Sequence, residues 1–534
     1  METFNVHYSM KNIPLPSKDD YTLRLISKTE LLIKRMRWRA IAYLGKLENN
    51  TKETYGFNSR KCPPSVEELT SFENDMMLMI KNIEFKQVRN DFQTTLKSDI
   101  EEINQSTKVL ITADNSRNIY KLDKDQYDKL LSENVTKTYK KCHKNKSTKI
   151  NQETKKIAKE LHIDDRMEKM QESEAYITIK DHKEGFPNRV SCRLINPSKS
   201  DIGRISKSIL DKINDKIIQA TNLNQWKNTY SVIDWFNLIK QKEQCSFIIF
   251  DMENFYPSIT PKLFNDSISY ARSMVEISQK DLNVILQARK TLLFHKTEPW
   301  VKKQGDEDFD VPMGCYDGAE VCQLVGTFIL SKLAAIIEKE SMGLYRDDGL
   351  AVLRNLSGPE TDRKRKNIIN IFKQCGLSIT IQTNIKIADF LDVQFNLTNN
   401  SHKPYRKPNN EPIYINKLSN HPPNILKELS KSIHKRISEI SSNEAIFNQS
   451  IGKYKSALKA SGFDEKGDYT PKITNNIPGI EKQNRKRNIT WFNPPFSINV
   501  KTNIGRTFFK LLQKHFPRTN KLNKVFNKNT VKLS

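Results

Sequence analysis

Up to about Lys108, apolar residues recur at helical spacing in a polar background. The clearest stretch is "LLIKRMRWRAIAYLGKL", whose pattern predicts an amphipathic helix with a solvated cationic face. From "VLITADNSRNIYKL" to about Asn228, short β-like runs such as "AYITIK" alternate with loops rich in Lys and Arg. That is a mixed α/β stretch with cations on its turns. "CSFIIFDMENFYPSI", from Cys245, reads as a strand by its β-branched and aromatic content, closed by a turn at Pro257. "GLYRDDGLAVL", from Gly343, reads as a hairpin with a tight Asp-Gly turn. Between the two lie a glycine loop, "DFDVPMGCYDGAE", and an apolar helix from Val321. "RKRKNIINIFKQCGLSITI" predicts a helix ending at Gly376 and then a strand, and "ADFLDVQFNL" a further strand. "NILKELSKSIHKRISEI" spaces Leu426, Leu429, Ile433, Ile437 and Ile440 as one helical face, with a capping signature at Ser441 to Glu444 for the next helix.

Composition narrows what such a chain can do. Its 534 residues are enough for several domains, and 88 Lys and Arg against 62 Asp and Glu leave a formal charge of +26. A surplus of that size favours a polyanionic partner, nucleic acid before a membrane surface. The 7 cysteines form no C-x-x-C pair and read as reduced thiols, so an intracellular protein, nuclear or cytoplasmic, is expected. The N-terminus lacks an apolar secretory core. The run from Val321 is interrupted by Gln323, Ser331 and Lys332 and reads as a buried helix, so no membrane partner is expected.

The adjacent Asp347 and Asp348 carry the candidate chemistry. Two like charges inside an apolar run repel each other and lose hydration, which is costly unless a cation sits against them. Asp251, at the end of the Cys245 strand, supplies a third carboxylate if the two strands are neighbours in one sheet. Magnesium takes hard oxygen ligands and suits such a cluster. Asp251 and Asp347 are the expected pair, with Asp348 in support because consecutive strand residues face opposite ways.

The order F-D-x-x-x-x-Y, P-M-G, Y-R-D-D and F-L-D-V resembles the palm of reverse transcriptases. In that resemblance "FDMENFYPSI" is the first aspartate motif, "VPMGCYDGAE" the template-primer glycine loop, "YRDD" the second aspartate motif and "ADFLDV" the primer-grip hairpin. "YRKPNNEPIYINKLSNHPP", from Tyr405, is similar to the segment that follows the palm in Penelope-like retroelement polymerases, and "TIKDHKEGFPNRVSCRLINP" to their fingers. "ITADNSRNIYKL" resembles an upstream motif of the same family but carries Asn115 where lysine is expected. Cys315, Tyr316 and Asp317 stand where small residues and proline are usual, and Arg346 is unusual before the aspartates.

The resemblance, over roughly Lys108 to Phe463, implies an α+β right-hand polymerase with fingers, a palm of antiparallel sheet with helices on one face, and a helical thumb. The expected division is a basic helical region at 1–107, fingers at 108–244, palm at 245–420, thumb at 421–465 and a basic extension at 466–534. The implied activity is RNA-directed DNA synthesis for a mobile element, from a dNTP onto a DNA primer along an RNA template. Asp251, Asp347 and Asp348 would hold two Mg2+ ions, with Mn2+ as the alternative. Tyr256 would occupy the space of a ribose 2′-hydroxyl, and Lys183 and Arg193 would clamp the triphosphate, with Lys180 as a competitor. Gly314 would let the backbone approach the template. Relatives often continue into a GIY-YIG nuclease; none is read here, so an endonuclease-lacking or truncated copy is expected. The tail from Asn484 suits either phosphate and base contacts or a small helix packed on the thumb. Two other functions stay open: a decayed copy that only binds nucleic acid, suggested by Asn115, Tyr316 and Asp317, and an RNA-dependent RNA polymerase, opposed by Tyr256.

Overall fold

The computed structural model describes residues 2–4, 11–45, 62–164, 167–303, 308–464, 466–471 and 489–534. Its centre is a four-stranded antiparallel sheet in the order Met342–Tyr345, Asp348–Arg354, Cys245–Met252, Ile379–Ile385. Along Cys245–Met252 the side chains alternate between faces as pleating requires. Ile248, Phe250 and Met252 enter a large apolar core with the helices Asp201–Thr221, Pro261–Met274, Gly318–Leu333 and Gly358–Gln374. Phe247, on the other face, joins Leu350, Val352, Phe236 and Phe395 in a second core. That second core covers the Cys245 end of the sheet, while Asp251, two pleats beyond Phe247 on the same face, is left at the rim.

The expected hairpin at the paired aspartates is present, but its turn lies earlier than the Asp-Gly dipeptide. The left-handed residue is Arg346, with φ of 57°, and Asp348 and Gly349 already belong to the second strand. "ADFLDVQFNL" forms two strands, Ile387–Phe390 and Val393–Asn396, rather than one. The helix expected to end at Gly376 spans Gly358–Gln374, and Gly376 takes the left-handed conformation just past it, with φ of 73°. Its start is fixed by a capping box between Ser357 and Glu360 that the apolar pattern does not reveal.

The helical module after the palm is formed by Pro423–Glu439, Glu444–Ser450 and Gly452–Ala460, with Ile433, Ile437 and Ile440 buried against the second core. The cap of its second helix is Asn443, which accepts from the Ile446 amide; the expected signature at Ser441 is displaced by two residues. Ahead of the palm, the hairpin Val109–Thr112 with Ile119–Leu122 meets the hairpin Tyr176–Ile179 with Cys192–Ile195 through a parallel bridge at Ala113 and Ile179. Packing crosses the expected boundary at 244. The helices Asp201–Thr221 and Thr229–Leu238 join the palm cores, and Glu298–Lys302, from the palm span, pairs with Tyr139–Lys141 of the fingers span.

The two ends of the chain make one unit. Helices Lys18–Tyr43 and Glu67–Lys81 share a core with Phe492, Phe508, Leu512, Phe516 and Phe526. The tail helix, Ile504–His515, therefore packs on the N-terminal helices and not on the thumb. The first five residues of the "NRKRN" stretch lie outside the described residues. A short parallel pairing of Thr490–Phe492 with Val531–Leu533 closes the tail, and Arg39 donates to the Thr490 hydroxyl at 2.7 Å. Among the described residues no helix is long and apolar enough to cross a membrane.

Phe508 is fully buried between Phe72, at 6.3 Å centroid distance, and Phe492, at 4.8 Å. Phe508→Ala should remove about 3–5 kcal/mol from this unit. Limited proteolysis is expected to show early cleavage within 18–81 and 489–534 while the palm resists. Equal resistance of variant and wild type would refute the shared core.

Candidate active site

The sheet register sets the site. Asp348 lies directly across from Asp251 in the antiparallel ladder, so the two carboxylates share the open face; opposed Cβ atoms in such pairs are about 4.5–5.5 Å apart. Asp347 is in the turn itself, where its carbonyl accepts from the Met252 amide at 3.0 Å and ties the turn to the end of the central strand. The expectation that Asp348 faces away from the other two is thus corrected: its opposite neighbour is Asp251. None of the three has an ion-pair partner among the described residues. Burial, then Asp347 and Asp251, push the Asp348 carboxyl up to about 7. Burial and Asp347 also raise Asp251, which Lys183, Lys407 and Lys180 pull back.

Those three lysines come from two distant parts of the chain. Lys180 and Lys183 follow the Tyr176–Ile179 strand, and Arg193 lies on its partner, opposite Thr178. Lys183 is exposed, whereas Lys180 is half-buried and its ammonium is depressed by burial and then by Arg193. Arg193 sits 2.9 Å from Asp114, so one arm of its fork is engaged by the residue beside the exposed Asn115. Lys407 is the residue that sequence reasoning missed. It belongs to the "YRKP" run, but only the fold brings it within reach of Asp251 and Asp348. The strap that carries it is pinned to the fingers. Asn409 donates to the Asp181 carbonyl at 2.8 Å, and Asn118 donates to the Asn409 carbonyl at 2.8 Å. The buried Asp181 carboxylate is in turn held by Ser116, Asn118 and Tyr120 at 2.6 to 2.9 Å.

Tyr256 is on the short helix Phe255–Ser258, which follows Asp251, and its mostly buried phenol is pushed upward by desolvation. Its ring lies against Gly318: a Cβ there would come 3.1 Å from the ring and 2.8 Å from the Cys315 sulfur. Gly314, with φ of 115°, also makes a close approach, but to the protein itself. A Cβ on it would lie 2.2 Å from the Asn196 carbonyl oxygen, and the Asn196 amide donates to Met313 at 2.8 Å. The glycine loop is thereby stitched to the end of the Cys192–Ile195 strand. Asp317 has a partner too: it is fully buried, paired with the buried Arg289 and bonded by the Ser206 hydroxyl. Tyr316 is flanked by Lys199 at 5.2 Å and Arg204 at 5.9 Å.

Three half-buried carboxylates of hard-oxygen type, without an ion-pair partner among the described residues and with Asp251 and Asp348 both raised by burial and by Asp347, fit the donor set of a divalent cation. Among the described residues no three ligating side chains close tightly around a single ion-sized point. Beside Asp251 a groove of about 340 Å³ runs along Thr380, Gln382 and Ile387, and a cavity of about 390 Å³ lies between Lys180, Arg193 and Pro257. A larger hollow of about 1040 Å³, between Trp235, Glu338 and Arg354, contains none of the aspartates.

Because the folded value for Asp348 lies above the ordinary 3.8, its neutral form stabilises the metal-free fold fully below about pH 4, and this contribution is lost as pH rises through 7. Asp348→Asn should flatten that dependence. Melting in a chelator between about pH 5 and pH 8 is expected to show a falling wild-type midpoint and a variant that is more stable at the upper end. Parallel curves would mean that the carboxylates are too far apart to interact.

No family model matches the chain, and no curated protein matches it. Among solved structures, telomerase from Candida albicans in complex with a fragment of telomeric RNA is similar over 98% of both chains, at 11% identity and a TM-score of 0.47. Apo telomerase from Candida tropicalis is similar over 83% of this chain and 84% of its own, at 12% identity and 0.42. The RNA-dependent RNA polymerase of a human picobirnavirus follows over 74% and 73%, at 10% identity and 0.34. The chain itself has an α+β layout: an aspartate-bearing antiparallel sheet with helices behind it, β-hairpins ahead of it and a helical module after it.

Proposed function

We propose that this protein is an RNA-directed DNA polymerase of a mobile element, adding dNTPs to the 3′-hydroxyl of a DNA primer on an RNA template. The observation that carries the reading is the register that sets Asp348 against Asp251 with Asp347 in the adjoining turn. Asp251, Asp347 and Asp348 would hold two magnesium ions, with manganese as the alternative. When bound, such a pair supplies charge for activating the attacking hydroxyl and for stabilising the departing pyrophosphate.

The protein's own groups supply binding and orientation. Lys183, Lys180 and Arg193 stand on the fingers side of the carboxylates and meet the triphosphate, with Arg193 offering its free edge. Lys407 adds a cation from the strap opposite. The groove beside Asp251 gives the primer end a path along Thr380 and Gln382. On the thumb, Lys427, Lys431 and Lys435 are exposed at four-residue spacing, a row suited to sequence-independent phosphate contacts. Tyr256, beside Asp347 and wedged against Gly318, fills the volume a 2′-hydroxyl would need, which favours deoxynucleotides over a ribonucleotide product.

The reading as a decayed copy is weakened by the fold. Asp317 neutralises a buried arginine and Tyr316 packs under two cations, so both departures in the glycine loop have structural partners.

Primer extension on an RNA template with magnesium tests the reading. Asp251→Asn, Asp347→Asn and Asp348→Asn should each lower extension by more than roughly a hundredfold while primer-template binding is retained. Extension by Asp347→Asn and Asp348→Asn at wild-type rates would reduce the pair to a structural turn. Tyr256→Ala should keep dNTP incorporation and relax ribonucleotide exclusion by roughly ten- to a hundredfold, read as the ratio of kcat/KM values. An unchanged ratio would remove Tyr256 as the gate.

A further inference from the structure

The turn that carries Tyr256 is held from behind by a buried polar chain that the reaction does not touch. Lys302 donates its ammonium to the Pro257 carbonyl, in the middle of the short helix Phe255–Ser258. The same ammonium lies 3.8 Å from Asp310, with both side chains nearly closed to solvent. Asp310 also accepts from the Tyr139 hydroxyl at 2.7 Å and from the Val311 amide at 2.8 Å. Tyr139 is directly across from Lys302 in the ladder of Tyr139–Lys141 with Glu298–Lys302. The chain therefore runs from the fingers strand, through the loop that leads into Met313 and Gly314, to the backbone next to Tyr256.

A lysine so enclosed is expensive. Burial lowers its ammonium and raises the Asp310 carboxyl, so each keeps its charge only beside the other. A methionine of similar length would fill the space without that cost. What the lysine adds is a directed bond to one carbonyl, and that carbonyl belongs to the residue after Tyr256. On the opposite side the Tyr256 ring meets Gly318, just past the loop that Asp310 begins. Lys302 also lines the cavity shared with Lys180, Arg193 and Pro257.

We propose that Lys302 is a positioning residue for sugar selection: by anchoring the Pro257 carbonyl it fixes the depth of the Tyr256 ring, and Tyr139 and Asp310 keep it aimed. The assignment rests on the polymerase reading and on Tyr256 as the gate. It follows that losing the anchor should affect the choice between dNTP and rNTP more than the rate with dNTP, since the carboxylates stand on the sheet and not on this turn.

The test uses the full chain as wild type, Lys302→Met, Lys302→Arg and Tyr139→Phe, with single-nucleotide extension on an RNA template, melting, and primer-template binding measured for each. Lys302→Met is expected to lower the dNTP over rNTP ratio of kcat/KM roughly tenfold, the worth of one buried charge-assisted bond, mainly through a lower KM for rNTP. Tyr139→Phe should move the ratio the same way by less, and Lys302→Arg should restore most of it. Equal losses with both nucleotides in Lys302→Met, or an unchanged ratio, would overturn the proposal. If Lys302→Met does not fold, Tyr139→Phe decides alone: an unchanged ratio there refutes the assignment. Wild type that extends with neither nucleotide would remove the polymerase reading and this proposal with it, whereas active wild type with indifferent variants removes only the proposal.

Discussion

Everything at the open face depends on a repulsion that the fold enforces. Like charges set directly across an antiparallel ladder destabilise it, and here Asp251 and Asp348 are so placed with Asp347 beside them. The sheet cannot relieve the strain by slipping. A shift of one residue would turn Ile248 and Phe250 out of the helix-covered core and drive Asp251 into it. The register is therefore held by the apolar face, and the energy of that packing keeps the carboxylates together.

The structure treats a second set of charges in the opposite way. Arg289 and Asp317 are both fully buried and paired, and they tie the start of Gly318–Leu333 to the segment before the Glu298–Lys302 hairpin. Removing either partner would leave an uncompensated charge in the core, so this pair fixes one geometry for the glycine loop. Compensation away from the open face and frustration on it divide the work: the paired charges make the frame rigid, and the unpaired ones stay available to a ligand.

This division explains what could be read along the chain. The central strand, the apolar helix behind it and the thumb face at Ile433, Ile437 and Ile440 were legible because each buries one side and so shows its period. The three aspartates were legible because charge inside an apolar run needs a reason. The position of Asp348 was not, since strand alternation alone cannot tell which residue of a turn opens the next strand; the left-handed Arg346 decides it. Nor could the partner of Arg193, the proximity of Lys407, or the union of the two chain ends be foreseen. Asp114 and Arg193 are joined by a bridge between two hairpins, Lys407 by a strap pinned at Asn409, and Phe508 and Phe72 by packing across most of the sequence. Such contacts leave no local signal. Asp317 misled for the same reason: it departs from the resemblance because its partner, Arg289, lies on another element.

The placement of the lysines bears on why the carboxylates are left unpaired. Lys180, Lys183 and Lys407 all pull Asp251 toward its charged form, yet none forms a salt bridge with it among the described residues. Had one of them closed on Asp251 or Asp348, the ion pair would satisfy both charges and leave neither a cation nor an anion with reason to enter. Holding the lysines on the fingers loop and the strap, at a distance set by Asp181 and Asn409, keeps positive charge facing negative charge across a gap. Under the proposed function, a nucleoside triphosphate with its metal ions would fit between such surfaces, its phosphates toward the lysines and its cations toward the aspartates. The spacing between the two sets, more than the number of charges in either, is then what the fingers, palm and strap together build.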